Sequence, residues 1–160
     1  ELTSLDSIHL DSTQVYKTLV EGRTVYGGGG IMPDIFVPLD TTTYTAYYRA
    51  LRRNNIINEH VLRYVDDNRQ KLKKRYKKFE DFAANFAVPA SLTDSIIAEG
   101  KRKKVEPKND KELESTLDDL RFTLKSTIAY DIWDRNEYFR LVNERNDIVK
   151  RALLFLKEGK

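Results

Sequence analysis

The stretch from Asn109 to Ile128, NDKELESTLDDLRFTLKSTI, predicts one long amphipathic helix. Asn109 and Glu112 have the spacing of a capping box, in which polar side chains satisfy the free backbone N–H groups of a first helical turn. Behind this start, apolar residues recur every three or four positions, at Leu113, Leu117, Leu120, Leu124 and Ile128. Such a stripe must be covered by other helices, so the stretch predicts a helical domain.

Upstream of this stretch, the helical spacing begins at Thr41 and recurs in two further segments. The first helix is predicted from Tyr44, Tyr47, Tyr48 and Leu51, and the second from Val61, Tyr64, Val65, Leu72, Tyr76 and Phe79, with the aromatic spacing continuing through Phe82 and Phe86 to Pro89. Ser91 and Asp94 predict the start of a shorter helix that ends near Gly100. The charged segment 100–110, GKRKKVEPKND, is interpreted as a linker because Pro107 interrupts it.

Downstream, a last helix is predicted to begin near Asn136 and to pair antiparallel with the long helix through Asp134 and Arg135. Its pattern predicts burial of eight apolar residues, namely Tyr138, Leu141, Val142, Ile148, Val149, Ala152, Leu153 and Leu156.

The N-terminal part has a different pattern, rich in β-forming residues. Residues 15–26 predict a β-hairpin around the turn Glu21-Gly22, and Asp34 to Pro38 predicts one more short strand. The fold class is therefore α+β, mostly α: a small N-terminal hairpin or sheet fragment at residues 1–40, followed by a domain of five or so helices at residues 41–160.

Composition excludes some chemistry. The chain has 160 residues and no cysteine, which excludes disulfides and thiolate nucleophiles. The net charge of +3 is too small to indicate nucleic acid as a partner. His9 and His60 are the only histidines, and two histidines without a clear third ligand do not predict a zinc site. We therefore expect no metal ligand and no cofactor.

Four consecutive glycines, Gly27, Gly28, Gly29 and Gly30, stand between two β-rich runs. A phosphate-binding Walker loop needs Lys-Ser or Lys-Thr after its glycines, and a dinucleotide-binding loop needs them to open a helix. Neither pattern follows, because Met32 and Pro33 come next. Glycines flanked so closely by β-formers favour a tight backbone approach over a flexible linker.

The segment 22–34, GRTVYGGGGIMPD, resembles the GR-x-VYGGGGI-x-PD segment near the end of the protease domain in carboxyl-terminal processing proteases, also called tail-specific proteases. Eleven positions match in order. The helical remainder is more loosely similar to the C-terminal extension of that family's cell-envelope branch. The resemblance marks a structural motif at Gly22, Arg23, Tyr26, Gly27, Gly28, Gly29, Gly30, Pro33 and Asp34.

The resemblance implies a parent serine endopeptidase that uses a Ser-Lys dyad and lies in the bacterial periplasm or cell envelope. In that family the dyad precedes the glycine segment. We therefore expect this chain to be the noncatalytic C-terminal portion, inactive alone, with a structural, regulatory or oligomerisation role. The implied partners are the upstream protease core, protein substrates bound by the parent, and a second copy in a homo-oligomer.

The densest basic run, at residues 71–78, supports a competing hypothesis. Lys71, Lys73, Lys74, Arg75, Lys77 and Lys78 are interpreted either as the solvated side of an amphipathic helix or as a contact for an anionic surface. The second interpretation would make the chain a stand-alone helical interaction module for an acidic partner or an anionic membrane surface. That module would leave the glycine motif unexplained.

Overall fold

The structure is a computed structural model that describes residues 15–27, 35–38 and 43–159. The chain divides into two compact units, residues 1–41 and 42–160. The described part of the first unit holds a β-hairpin, and that of the second holds seven α-helices. The predicted fold class, α+β and mostly α with a small N-terminal sheet, is confirmed.

The hairpin is shorter than predicted. Strands β1 (Val15–Lys17) and β2 (Thr24–Tyr26) pair antiparallel, with Tyr16 opposite Val25. The predicted two-residue turn is wrong, because six residues connect the strands.

Thr18 accounts for the wide turn. Its N–H donates to Arg23 O at 2.9 Å and its Oγ1 accepts from Arg23 N–H at 2.9 Å. These two hydrogen bonds close the turn directly after β1. Gly22 lies within this turn and has φ +63°, a left-handed conformation that glycine adopts readily. Leu19 and Val20 are fully exposed at the tip.

The predicted third strand is also wrong over its described residues. Ile35 forms a bend, and residues 36–38 have irregular backbone without strand pairing. Asp34, the predicted first residue of that strand, lies outside the described residues.

The second unit is built around one long helix. Its seven helices are α1 (Ala46–Arg53), α2 (Ile56–Arg75), α3 (Phe79–Asn85), α4 (Ala90–Arg102), α5 (Asp110–Ile132), α6 (Arg135–Asn143) and α7 (Asp147–Glu158). Helix α5 packs against α1, α2, α4 and α6, whereas α7 packs beside α6. The sequence stripe on α5 is only partly buried: Leu120, Leu124 and Ile128 are fully inaccessible to solvent, while Leu113 and Leu117 are half-buried.

One apolar cluster joins these helices. It consists of Tyr47, Tyr48, Leu51, Ile56, Ile57, Val61, Val65, Leu72, Tyr76, Phe79, Phe82, Phe86, Leu92, Ile96, Leu120, Leu124, Ile128, Ala129, Ile132 and Leu141. Burial of this apolar surface is the main favourable term in folding. Most residues of the stripes predicted within residues 47–86 belong to this core, and Tyr64 is packed against it partly buried.

Two predicted helix boundaries are wrong. Helix α2 stops at Arg75, and the backbone of Tyr76 leaves the helix at φ −114° and ψ 88°, so Phe79 and Phe82 lie on a separate short helix. Helix α4 starts after Pro89 rather than at Ser91, because a proline fits a position where no backbone N–H is needed. After the break at Tyr76, Phe82 of α3 packs on the Tyr76 ring at 5.5 Å between centroids.

Helix α4 also runs past its predicted end at Gly100, which is buried inside it. Val105 N–H donates to Gly100 O at 2.8 Å as the chain turns back, so backbone passes close to this glycine. A Cβ at position 100 would lie 2.9 Å from Val105 O and 3.1 Å from Leu51 Cδ2. The glycine therefore serves a close approach and does not end the helix.

A polar link joins the first turns of α1 and α5. Asn109 Oδ1 accepts from Glu112 N–H at 2.9 Å, as the capping box predicts. The Glu112 carboxylate accepts from Lys108 N–H at 2.7 Å and, from the other helix, Tyr47 N–H at 3.1 Å. One side chain thus caps the helix that carries it and also its neighbour.

We predict that Gly100→Ala destabilises the protein, although alanine normally favours a helix interior over glycine by roughly 1 kcal/mol. The new Cβ meets a backbone oxygen that cannot move without breaking the turn at Val105. Thermal unfolding followed by circular dichroism measures the effect. Asp94→Ala, at an exposed position of the same helix, is the control, and a melting temperature of Gly100→Ala at or above wild type would contradict the prediction.

We also predict that Glu112→Gln lowers the stability of the fold at neutral pH and makes that stability less dependent on pH. Backbone hydrogen bonds from Lys108 and then Tyr47 lower the pKa of Glu112 below its ordinary value, so its charged form stabilises the fold. This contribution is present above the unfolded-state pKa of about 4.3 and is lost as the pH falls through the lower folded-state value. Melting temperatures of the two proteins should converge in acid; a gap independent of pH, or an equal effect of the exposed Glu114→Gln, would refute the role.

Candidate functional surfaces

The glycine motif is only partly within the described residues. Gly22 and Arg23 lie in the hairpin turn, Tyr26 ends β2, and Gly27 follows it half-buried. Arg23 Nε pairs with Glu21 Oε2 at 2.9 Å. The motif residues outside the described part are Gly28, Gly29, Gly30, Pro33 and Asp34.

The hairpin exposes apolar side chains on both of its faces. Val15 pairs with Tyr26 and Tyr16 with Val25, and adjacent pairs point to opposite faces of a sheet. All four side chains are between 37% and 60% exposed. A two-stranded ribbon of this kind is marginal by itself in water, so its faces and edges suit addition to a larger sheet.

A second surface is a groove of about 420 Å³ at the C-terminal end of α2. Four side chains spaced by four, three and four residues, Tyr64, Asn68, Lys71 and Arg75, follow one side of that helix. The opposite wall is the segment that leads from α3 into α4, and it contributes Asn85, Phe86, Ala87 and Pro89. We call this site the basic groove.

The floor of the basic groove is a packed aromatic cluster. Tyr76 and Phe86, both nearly buried, meet edge to face at 6.0 Å between ring centroids. Phe82 stacks on Phe86 at 4.5 Å and contacts Trp133 at 5.1 Å. This cluster holds the segment from α3 into α4 against the end of α2, so the groove is formed by the core and does not depend on its charged rim.

The polar groups of the basic groove are mostly uncommitted. Asn68 Nδ2 donates to Tyr64 O at 2.9 Å, which leaves its side-chain oxygen free to accept. Burial, and then Tyr76, raises the pKa of Tyr64. A tyrosine hydroxyl is protonated at neutral pH and can donate a hydrogen bond to a ligand. Arg75 lies over the Tyr76 ring, with its Cζ 5.3 Å from the centroid. None of the described residues that line this groove carries a carboxylate.

The predicted basic run surrounds the groove with exposed cations. Lys71 and Arg75 line it, and Lys73, Lys74, Lys77 and Lys78 are exposed beside it. In the described part of the chain, none of these six forms an ion pair, whereas several other basic residues do, such as Arg102 with Glu99 at 2.6 Å and Arg140 with Glu80 at 2.8 Å. Both predicted features therefore hold: the apolar side of α2 is buried and its basic side faces solvent.

The C-terminal helix contradicts the sequence prediction. Residues 136–156 were predicted to form one helix, but residues 144–146 separate α6 from α7. Of its eight predicted core residues only Leu141 is buried, and α7 contains none. Ile148, Leu153 and Leu156 are more than half exposed. Amphipathic spacing shows that a helix has an apolar side, but it does not show whether anything covers that side.

A further depression, about 310 Å³ in volume, lies where α5 meets α6. Tyr130, Arg135, Tyr138 and Phe139 line it, and Arg135 Cζ lies 5.5 Å from the Phe139 ring centroid. Tyr130 and Phe139 are each more than 40% exposed, so they extend the uncovered apolar surface of the C-terminal part.

The remaining sequence candidates have local roles or lie outside the described residues. His60 Nδ1 is 2.8 Å from Ile56 O, one turn earlier on α2, and His9 is not described. Within residues 15–27, 35–38 and 43–159, no cluster of three or more histidine, aspartate or glutamate side chains could hold a metal ion. The helices of this part are too short or too polar to cross a membrane.

Residues 47–134 match the model of a family of unknown function, DUF8443. The chain belongs to this family. The matched region starts in α1 and ends just after α5. It therefore includes every described residue that lines the basic groove, and it ends before α6 and α7. No curated protein and no solved structure is significantly similar to the chain.

Sequence reasoning identified the cations of the groove but missed Asn68, Asn85 and Pro89. The spacing of Tyr64, Asn68, Lys71 and Arg75 was a usable signal for the helical wall, because all four fall on one side of a helix. No local pattern indicated the opposite wall, which reaches α2 only through tertiary packing.

We predict that polar substitutions on α7 are tolerated, whereas removal of the buried side chain of α6 is not. Leu153→Gln with Leu156→Gln keeps a similar helix propensity and should change the free energy of unfolding by less than about 0.5 kcal/mol, as expected for exposed positions. Leu141→Ala should lower it by roughly 2–5 kcal/mol because it empties a buried site. Urea unfolding measures both. A loss above about 1 kcal/mol in the double glutamine variant would mean that α7 is covered in solution.

Proposed function

We propose that this chain is the noncatalytic C-terminal portion of a serine peptidase of the carboxyl-terminal processing type. The observation that carries the proposal is the segment 22–34, in which eleven positions of the glycine motif stand in order. A run of that length with fixed glycine, proline and aspartate positions is far more specific than a glycine-rich linker.

The hairpin geometry supports this proposal. Both faces of the ribbon carry exposed valine and tyrosine side chains, a pattern typical of a strand pair taken from a larger sheet. In the proposed parent, the upstream protease core adds strands to β1 or β2 and covers these residues. Gly22, at positive φ, closes the turn between them.

The exposed apolar surface of the C-terminal part supports a structural role for the helical unit. Helix α7 presents Ile148, Leu153 and Leu156 to solvent, and single exposed apolar residues are common but a whole uncovered helix side is not. In the proposed parent this surface contacts the protease core or a second copy. The proposed location, the bacterial periplasm or cell envelope, follows from the same family resemblance.

The test is an assay of three proteins against an unfolded protein substrate with a free C-terminal tail. These are residues 1–160, the product of the complete reading frame that contains them, and that product ended after Asp40. We expect tail-dependent cleavage by the complete product, none by residues 1–160, and reduced activity or assembly in the shortened product. Cleavage needs a nucleophile, a base and an oxyanion site together, and the family places these upstream.

Two outcomes would refute the proposal. One is a complete reading frame whose product shows no serine-dependent cleavage, which would favour a stand-alone helical interaction module. The other is cleavage by residues 1–160 that disappears when one of its own serines is changed. Normal activity of the product ended after Asp40 would leave the peptidase assignment and remove the supporting role.

A further inference from the structure

From the basic groove we infer that the helical unit binds an extended acidic peptide segment. Peptide carboxylates would pair with Lys71 and Arg75, and the peptide backbone would lie against Asn68 and Asn85. This inference goes beyond the proposed function and does not depend on a peptidase core preceding the chain.

The charge distribution is the first argument. Six cations lie within residues 71–78, and among the described residues none has an acidic partner in an ion pair. A helix C-terminus favours nearby cations, but this effect is confined to the last turn, which here holds Lys73, Lys74 and Arg75. Lys71 lies one turn earlier and faces the groove with Arg75. The dipole therefore does not account for Lys71, one of the two cations that line the site.

The shape of the groove is the second argument. Its volume of about 420 Å³ is in the range of sites that bind a small ligand or a few residues of a chain, and it is too small to hold a folded domain. Phe86, Ala87 and Pro89 form an apolar wall, which a free inorganic anion would not use. A ligand with both negative charge and apolar bulk fits this combination.

The uncommitted amides are the third argument. A peptide backbone presents alternating donors and acceptors, and Asn side chains supply both kinds. Asn68 keeps a free acceptor on one wall, and Asn85 is exposed on the other. Single-stranded nucleic acid is less suited, since base stacking needs an exposed ring face and the Tyr76 and Phe86 rings are nearly buried.

The experiment uses the 160-residue chain and a fluorescein-labelled decapeptide of alternating glutamate and alanine, followed by fluorescence anisotropy at low and physiological salt. We expect saturable binding that weakens with salt, and no binding of the matched peptide with glutamine in place of glutamate. Lys71→Gln with Arg75→Gln should weaken binding about tenfold or more, because both charge-assisted contacts are lost.

Two further variants separate the groove from its surroundings. Lys73→Gln with Lys77→Gln removes the same charge from the last turn of α2 and the segment just after it, outside the groove lining, and should weaken binding by less than about threefold through the general field alone. Ala87→Trp changes no charge but fills the groove, and should abolish binding. Circular dichroism melts of all variants verify that each one is folded.

Three results would overturn the inference. These are equal binding of the glutamate and glutamine peptides, an equal loss in the two double variants, and unchanged binding by Ala87→Trp. Vesicles of phosphatidylcholine with phosphatidylserine and a single-stranded oligothymidylate are the competing probes. Tighter binding of either, with insensitivity to Ala87→Trp, would assign the cations to a membrane or nucleic-acid surface. Failure of the peptide assay would leave the peptidase proposal intact, and the cleavage assay does not bear on the groove.

Discussion

The Glu112 carboxylate holds the start of the helical unit together. It accepts backbone N–H groups from Lys108, just before the N-cap of its own helix, and from Tyr47 in the first turn of α1, a donor that helix geometry leaves without a partner. Thr45 strengthens the same junction, because its Oγ1 accepts from Tyr48 N–H at 3.1 Å and meets Thr116 Oγ1 at 2.6 Å. The first turns of α1 and α5 are thereby placed in one register, and the buried tyrosines of α1 face the stripe on α5.

From this junction towards the C-terminus, the helices bury fewer apolar side chains. The core side chains of α1, α2 and α5 are inaccessible to solvent, α6 contributes Leu141, and α7 contributes nothing buried. The last aromatic contacts of the core are near Trp133, whose ring lies 5.9 Å from that of Phe79 and 5.1 Å from that of Phe82. The family match ends at the next residue, Asp134. The match therefore includes α2 to α5 and most of α1, whereas the exposed helix α7 lies beyond it.

The distribution of charge separates two kinds of surface. Around α4 and α6, basic side chains meet acidic ones, as in Lys103 between Glu59 and Glu99 at 3.6 Å each, and such exposed pairs contribute little stability. At the end of α2 the cations form no ion pair with any described residue, and they lie beside a groove with an aromatic floor. Mutual repulsion of like charges there costs some stability, and a ligand or surface of opposite charge would relieve it.

Much of the helical unit was determined by the sequence itself. Helices were identified from apolar residues spaced by three or four positions, because this period is a property of the helical backbone. Examples are the apolar stripe that follows Asn109, the tyrosines of α1, and Val61 with Val65 on α2. Most of the apolar residues so identified between positions 47 and 86 belong to the core. The place of Gly22 in the hairpin turn was also readable from the sequence, since glycine readily takes a positive φ, although the connection has six residues and not two.

Tertiary structure decided where those helices stop and which of their sides are covered. The helical spacing of apolar residues continues through Tyr76, although α2 ends at Arg75. After this break, Phe82 and Phe86 both pack edge to face on the Tyr76 ring. Gly100 is read locally as a helix end, yet it permits a close backbone approach by Val105. The second wall of the basic groove, and the exposure of α7, depend on contacts between residues distant in sequence. Local spacing carries no information about those contacts, because the same amphipathic pattern is compatible with a covered or an open side.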